Sequence, residues 1–111
     1  MSILVVDDDD DVREVLAETL EHFGYPVLQA ASGEEALPIL AASHNICLMI
    51  TDIRMPGMSG LELAEQVRRA YAQVKIIVTS GYFHPQQVHD RFLRKPFQMK
   101  DLASAVKAEL G

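Results

Sequence analysis

Apolar residues follow two different patterns along this chain. Short continuous runs, rich in Val and Ile, alternate with longer stretches in which apolar positions recur every three or four residues. The first pattern is typical of strands buried on both faces of a parallel sheet, and the second of helices that cover such a sheet. Val15 and Met99 fall on the predicted buried faces of the first and last helices. The patterns predict strands over residues 3–6, 27–30, 46–50, 74–78 and 92–94.

Local signals mark where the predicted helices begin and end. An aspartate after the first strand is expected to cap the first helix, and Gly24 to end it. Ser32 and Ser59 each precede a glutamate by three residues, which is the spacing of a capping box. Pro38 lies inside the second helix and is expected to make it irregular. The polar stretch 82–91 predicts a fourth helix that is short or disordered, and a last helix follows from position 98.

This alternation of strands and helices predicts one α/β domain over residues 1–111. Short connections between the elements favour a parallel five-stranded sheet in a three-layer sandwich, with the flavodoxin-like strand order 2-1-3-4-5. In that order the first and third strands are neighbours, and the carboxyl ends of all strands share one edge. Polar residues follow four of the strands and are expected to meet at that edge: Asp7, Asp8, Asp52, Thr79 and Lys95.

The net charge of the chain disfavours two classes of binding partner. The chain has 16 acidic and 10 basic residues, a net charge of −6, which disfavours nucleic acid and anionic membranes as partners of this domain. The N-terminus has neither a basic region nor a long apolar segment, so we expect no signal peptide, no membrane span and a cytoplasmic location. The single cysteine, Cys47, lies within the third predicted strand and is expected to be a buried thiol.

The acidic residues at the sheet edge predict a cation site. Three neighbouring carboxylates repel one another, and each has an ordinary pKa of about 3.9, so a compensating positive charge is needed at neutral pH. Hard carboxylate oxygens suit Mg²⁺, which commonly works beside phosphate oxygens. A lysine and a hydroxyl group nearby would complete a site for phosphoryl transfer. Asp52 is the candidate nucleophile, because aspartyl phosphate is a known type of covalent intermediate.

Four separated motifs resemble those of the response regulator receiver domains of bacterial two-component signalling. They cover residues 4–8, 52–60, 78–81 and 92–97, in the order of that family, and together they extend over nearly the whole chain. The resemblance implies that the chain is one receiver domain and that Asp52 is its phospho-acceptor. It also implies that the phosphoryl group comes from a phosphohistidine on a sensor histidine kinase or a histidine phosphotransfer protein.

The resemblance further implies a magnesium site at the carboxyl edge of the sheet. Asp7 and Asp8 are expected to hold Mg²⁺ together with Asp52. The main-chain carbonyl of Arg54 is expected to complete the protein ligands. Mg²⁺ is therefore the predicted cofactor.

The resemblance also assigns a conformational switch. Thr79 is expected to close on the phosphoryl group, Lys95 to pair with one of its oxygens, and Phe92 to change its burial when Thr79 moves. The Lys95–Pro96 peptide bond is expected to be cis. The signal would leave through the fourth helix, the fifth strand and the last helix, toward a downstream effector or an attached kinase module. Two departures from the family affect this switch: the stretch from Thr79 to Lys95 is short for the family, and Phe92 lacks a hydroxyl group.

Other functions of the same fold fit the residues less well. A magnesium-dependent phosphohydrolase with Asp52 as nucleophile would want a second aspartate where Arg54 stands. A flavin-binding domain would place phosphate beside the five consecutive aspartates at 7–11, which would repel it. A receiver that binds proteins without phosphorylation remains an alternative, although the intact acceptor motif disfavours it. The resemblance therefore implies a signalling module that catalyses only its own phosphorylation and slow dephosphorylation.

Overall fold

The structure, a computed structural model, describes residues 1–81 and 90–111. Within these ranges the strands are β1 (Ser2–Val6), β2 (Val27–Ala30), β3 (Ile46–Asp52), β4 (Lys75–Ser80) and β5 (Arg91–Arg94). The helices are α1 (Asp10–His22), α2 (Gly33–Ala42), α3 (Gly60–Ala70) and α4 (Met99–Leu110). None of these helices has the length and apolar character needed to cross a membrane.

All five strands pair in parallel in the order β2-β1-β3-β4-β5. This confirms the predicted flavodoxin-like architecture. The fourth helix predicted over residues 82–91 falls largely outside the residues that the structure describes. The last predicted helix is therefore α4 in the numbering used here.

Two apolar layers hold the helices against the sheet. Along β1, Ile3 and Val5 pack on the layer that includes residues of α1 and α4, whereas Leu4 and Val6 pack on the layer that includes residues of α2 and α3. All four of these side chains are almost completely buried. Burying a side chain of this size stabilises the fold by about 1.5–3 kcal/mol. Covered faces on both sides of the sheet explain why the strand sequences are apolar without alternation.

Serine residues cap two of the helices as their spacing predicts. Ser59 accepts a hydrogen bond from the Glu62 N–H at 3.2 Å, and the Glu62 carboxylate accepts one from the Ser59 N–H at 3.2 Å. This is a complete capping box. At α2, Ser32 accepts from the Glu35 N–H at 3.1 Å, but the Glu35 carboxylate accepts from the N–H of Ala31, one residue before the cap. At α2 the capping box is therefore incomplete, because the glutamate binds the N–H of Ala31 and not that of the capping residue Ser32.

The structure differs from the sequence predictions at several positions. α2 runs through Pro38 to Ala42 without a break. The proline removes one hydrogen bond of the helix, but Ala36 and Leu40 remain buried on the core face and hold the helix in place. Cys47 is half-buried rather than buried, and its Sγ donates to the Ser2 carbonyl at 3.3 Å. Burial raises the pKa of this thiol.

Val15 and Met99 were predicted to lie on buried helix faces, and this prediction is wrong. Val15 is 63% exposed and Met99 is 54% exposed. Both residues lie at the margins of apolar faces whose central positions, such as Leu16 and Leu102, are buried. A period of 3.6 residues locates the centre of a helix face but not how far the partner surface extends beyond it.

Charge is segregated across the sheet. Residues 1–53 contain eleven of the sixteen acids and a single base, whereas residues 54–111 contain five acids and nine bases. The first segment builds the half of the sheet formed by β2, β1 and β3, and the second builds the half formed by β4 and β5. The domain therefore has a more acidic end, toward β2, and a more basic end, toward β5.

Candidate functional site

Backbone pairing brings three of the predicted site residues to one edge of the sheet. Asp52 and Thr79 are register partners on β3 and β4. Just beyond the strand, the N–H of Ile53 donates to the Thr79 carbonyl at 2.9 Å. On the other side of β4, the N–H of Lys95 donates to the Ser80 carbonyl at 2.8 Å. These bonds extend the sheet pairing past the ends of β3 and β5, so all three residues stand at the same level.

Three carboxylates converge at this edge. Oxygen atoms of Asp7, Asp8 and Asp52 all lie within 4.8 Å of one another. Asp7 is buried, Asp52 is half-buried and Asp8 is exposed, so the cluster opens toward solvent on one side. A set of hard carboxylate oxygens with one open side is the kind of donor set that suits Mg²⁺. The structure thus brings together the three carboxylates that were predicted to hold the metal.

Lys95 places a positive charge inside the acidic cluster. Its Nζ lies 3.0 Å from Oδ2 of Asp7 and 3.5 Å from Oδ2 of Asp52. The other oxygen of Asp7, Oδ1, accepts a hydrogen bond from the Asp9 N–H at 2.9 Å. The buried Asp7 carboxylate is therefore satisfied on both oxygens, and one ammonium group is shared between two acids.

The environment of Asp52 opposes its ionisation. Burial raises the pKa of Asp52 above its ordinary value, and the negative charge of Asp7 acts in the same direction. The ammonium group of Lys95 lowers the pKa and so partly offsets both effects. A cation bound in the cluster would favour the ionised, nucleophilic form of this carboxylate.

The hydroxyl group of Thr79 points along the sheet rather than at the acids. Thr79 is buried, and its Oγ1 donates to the carbonyl of Thr51 at 3.5 Å. This distance is at the long limit for a hydrogen bond, so the bond is weak. A better acceptor arriving beside Asp52 would compete with it effectively.

Arg54 and Phe92 are the other two residues with predicted roles in the site, and each is close in sequence to a member of this cluster. Arg54 is the second residue after Asp52, and its main chain belongs to the loop between β3 and α3. Phe92 pairs in register with Val78 on β4 and is partly buried against the layer that includes α2 and α3. The Lys95–Pro96 bond is cis, as the resemblance implied.

Arg13 supports the acidic turn and had no role in the sequence prediction. Its Nη1 donates to the main-chain carbonyl of Asp7 at 2.9 Å, and its Nη2 pairs with Asp10 at 2.7 Å. Its Nε donates to the side chain of Gln29 on β2 at 3.2 Å. The guanidinium group thus connects the turn after β1 to the neighbouring strand. The available signal was that Arg13 is the single base within residues 1–53.

The start of α3 approaches the backbone of the candidate nucleophile very closely. A Cβ atom added at Gly60 would stand 1.9 Å from the carbonyl oxygen of Asp52. The N–H of Gly60 donates to the Ile53 carbonyl at 2.8 Å. Glycine at position 60 is therefore what allows α3 to begin directly against the end of β3.

An apolar groove of about 640 Å³ adjoins the site between α1 and α4. Lys95 contributes to the groove as well as to the acidic cluster, so the two are continuous. The exposed side chains of Val15 and Met99 line its two sides. The rest of its lining includes Val12, Leu16, Phe97 and Leu102.

Comparison with known proteins identifies one family and several relatives. The family described as response regulator receiver domain matches residues 3–107. The sensor kinase CckA of Brucella abortus is 36% identical over 117 residues, which cover 98% of this chain and 12% of that protein. The transcriptional regulatory protein FixJ of Azorhizobium caulinodans is 38% identical over 118 residues, covering 100% of this chain and 56% of FixJ. The chain thus spans little more than half of one curated relative and a small part of the other.

A solved structure agrees with these relatives. The response regulator protein TrrA of Thermotoga maritima, crystallised in complex with Mg²⁺ and BeF, superposes with a TM-score of 0.88 at 39% identity. The match covers 97% of this chain and 98% of TrrA. Sequence and fold therefore point to the same group of proteins.

Proposed function

Because the chain belongs to the family of response regulator receiver domains, we propose that Asp52 is the residue on which it accepts a phosphoryl group. Receiver domains are the phospho-accepting modules of two-component signalling, and this is the function of the chain at the level of the family. The observation that supports Asp52 is its position at the end of β3, beside two further carboxylates and 3.5 Å from the ammonium group of Lys95.

The proposed reaction is a phosphoryl transfer between two side chains. An oxygen of Asp52 forms a bond to the phosphorus atom of a phosphohistidine on the donor protein while the N–P bond breaks. The electron pair of that bond stays on the imidazole nitrogen, which takes up a proton. Water later hydrolyses the aspartyl phosphate to inorganic phosphate and regenerates Asp52. In this proposal the domain catalyses only its own phosphorylation and the later hydrolysis of its aspartyl phosphate.

Magnesium is the proposed cofactor of this step. The carboxylates of Asp7, Asp8 and Asp52 would hold the ion together with the main-chain carbonyl of Arg54. When bound, Mg²⁺ supplies neutralisation of the carboxylates and of the charge on the phosphoryl oxygens. Lys95 provides a second positive charge at the same edge, where it would pair with a phosphoryl oxygen.

Thr79 and Phe92 are the proposed elements of the switch. The weak hydrogen bond from Thr79 Oγ1 to Thr51 would be exchanged for a stronger one to a phosphoryl oxygen on Asp52. That movement alters the packing beside Val78, the register partner of Phe92. Phe92 is already half-buried, so a change in its burial would alter the surface formed by β5 and the elements next to it.

The phosphoryl donor is proposed to be a sensor histidine kinase or a histidine phosphotransfer protein. It would cover the apolar groove between α1 and α4, because that groove is continuous with the acidic cluster at Lys95. A donor seated there holds its phosphohistidine at the edge that carries Asp52. The output would pass to a downstream effector or to an attached kinase module.

Intact mass spectrometry after incubation with acetyl phosphate tests the proposal. Wild type, Asp52→Asn and the control Asp11→Asn are compared with Mg²⁺ and with a chelator. We expect one phosphoryl adduct on wild type and on the control, and none on Asp52→Asn or without Mg²⁺. Labelling of Asp52→Asn equal to wild type would contradict the assignment of the acceptor.

The same samples test the alternative that the chain is a receiver that binds proteins without being phosphorylated. If folded wild type accepts no phosphoryl group from acetyl phosphate, it is next incubated with a phosphorylated histidine phosphotransfer protein. An adduct from that donor supports the proposal. The absence of an adduct from both donors would overturn it and favour a binding-only domain.

A further inference from the structure

The first turn of α2 contacts the loop that follows Asp52. The N–H of Met58 donates to Oε2 of Glu34 at 3.1 Å. The same oxygen lies against Gly57, where an added Cβ would approach it to 2.9 Å. Gly57 has a φ of +74°, a conformation that glycine adopts at little cost. The loop thus offers the Glu34 carboxylate one hydrogen-bond donor and the space left by a missing side chain.

Packing holds the same point of the loop from two helices. A Cβ added at Gly33, the first residue of α2, would lie 2.9 Å from the Sδ atom of Met58, so this helix end is in close contact with the methionine. From α3, Nε2 of Gln66 donates to the same sulfur at 3.8 Å. Met58 is therefore fixed by its backbone at Glu34 and by its side chain at Gly33 and Gln66.

The hydrogen bond from Met58 to Glu34 gives the loop a third fixed point, between its two ends. The loop begins where the Ile53 N–H donates to the Thr79 carbonyl and ends where the Gly60 N–H donates to the Ile53 carbonyl, at 2.9 and 2.8 Å. Arg54, the proposed carbonyl ligand, lies between the first end and Met58. An anchor at Met58 shortens the free part of the loop and so restricts the positions that the Arg54 carbonyl can take.

We propose that Glu34 is a positioning residue for metal binding and phosphoryl transfer at Asp52, acting through the Met58 N–H on the loop that carries Arg54. The proposal rests on the proposed function, because the ligand role of Arg54 comes from it. Groups outside the immediate ligands that orient a metal site typically change metal affinity by about 10–100-fold when they are removed. Because Glu34 is exposed, we expect an effect at or just below the lower end of that range, about fivefold to tenfold.

Four proteins test this role: wild type, Glu34→Ala, Glu34→Gln and Glu35→Ala. Glutamine keeps an oxygen that accepts from Met58, whereas alanine removes it. Glu35 is the matched control, because it has the same charge in the same helical turn but accepts from the N–H of Ala31 instead of the loop. The Mg²⁺ dissociation constant is measured by calorimetry and the labelling rate with acetyl phosphate at limiting and saturating Mg²⁺. Amide hydrogen exchange at Met58 reports the bond without any metal.

The expected result is a selective effect of Glu34→Ala. Its Mg²⁺ dissociation constant rises about fivefold to tenfold, its Met58 amide exchanges faster, and its labelling rate recovers toward wild type at saturating Mg²⁺. Glu34→Gln and Glu35→Ala stay within about twofold of wild type. If wild type binds and labels normally while Glu34→Ala matches it, or if Glu35→Ala is equally impaired, the proposal is overturned. Failure of wild type itself to label would instead count against the proposed function.

Discussion

Replacing Gly60 with alanine tests the close approach of α3 to the acceptor strand. The new Cβ would stand 1.9 Å from the Asp52 carbonyl oxygen and 2.8 Å from Cα of Ile53, both backbone atoms that cannot rotate away. Ordinary contacts begin at about 3.5 Å, so the first turn of α3 must retreat by more than about 1 Å. Overpacking of this kind costs about 1–3 kcal/mol, and a lengthened Gly60–Ile53 hydrogen bond adds about 1 kcal/mol.

Alanine recovers part of this cost, because it favours a helix over glycine by up to about 1 kcal/mol. The net loss is about 2 kcal/mol, which corresponds to a fall in thermal midpoint of about 10 °C for a domain of this size. Thermal unfolding followed by circular dichroism measures it, and the rate of labelling at Asp52 should fall as well. Gly81→Ala is the control, because among the described residues no atom beyond its chain neighbours lies within 4 Å of its added Cβ. A Gly60→Ala midpoint within about 2 °C of wild type would refute the reasoning.

Two further predictions concern the ionisation of Asp52 and the apolar groove. Burial raises the pKa of Asp52 in the folded chain, so stability is lost as the pH rises from the unfolded-state value of about 3.9 through the folded-state pKa. In metal-free buffer, Asp52→Asn should therefore melt above wild type at pH 7, with a gap that narrows toward pH 4; a constant or reversed gap contradicts this. Val15→Glu should slow phosphoryl transfer from a phosphorylated histidine phosphotransfer protein by about tenfold and leave acetyl phosphate labelling unchanged. Leu28→Glu on β2, also at an exposed apolar position, is its control. If Val15→Glu slows labelling equally with the phosphotransfer protein and with acetyl phosphate, the groove is not the docking site of the donor.

The sheet and the meeting of the acids could be predicted because they depend on strong local patterns. Continuous apolar strands fix a parallel sheet, and parallel strands all end at one edge. The residues at or just after those ends, such as Asp7, Asp52 and Lys95, therefore had to be near one another. Capping boxes are also local, and the one at Ser59 formed as its spacing predicts.

Contacts made across the fold could not be predicted in the same way. The bond between Glu34 and Met58 joins residues that belong to different strand–helix units, and nothing in either segment refers to the other. Arg13 is similar, because its partners Asp7 and Gln29 become neighbours only when β1 pairs with β2. The exposure of Val15 likewise depends on how much of α1 its partner covers. Such features follow from the assembled surfaces rather than from the sequence of one element.

The segregation of charge has a consequence for how partners find this domain. The Debye length is about 8 Å at physiological ionic strength, whereas the domain measures 31 × 29 × 27 Å. An approaching protein therefore experiences the acidic end or the basic end, but not the sum of the two. At an ionic strength of about 0.01 M the Debye length is about 30 Å, comparable to the dimensions of the domain, so the separated charges act together as an electric dipole that orients the molecule before contact. Association rates measured at low salt will therefore depend on how well each partner matches the oriented dipole. The order of these rates among partners will change as salt is added.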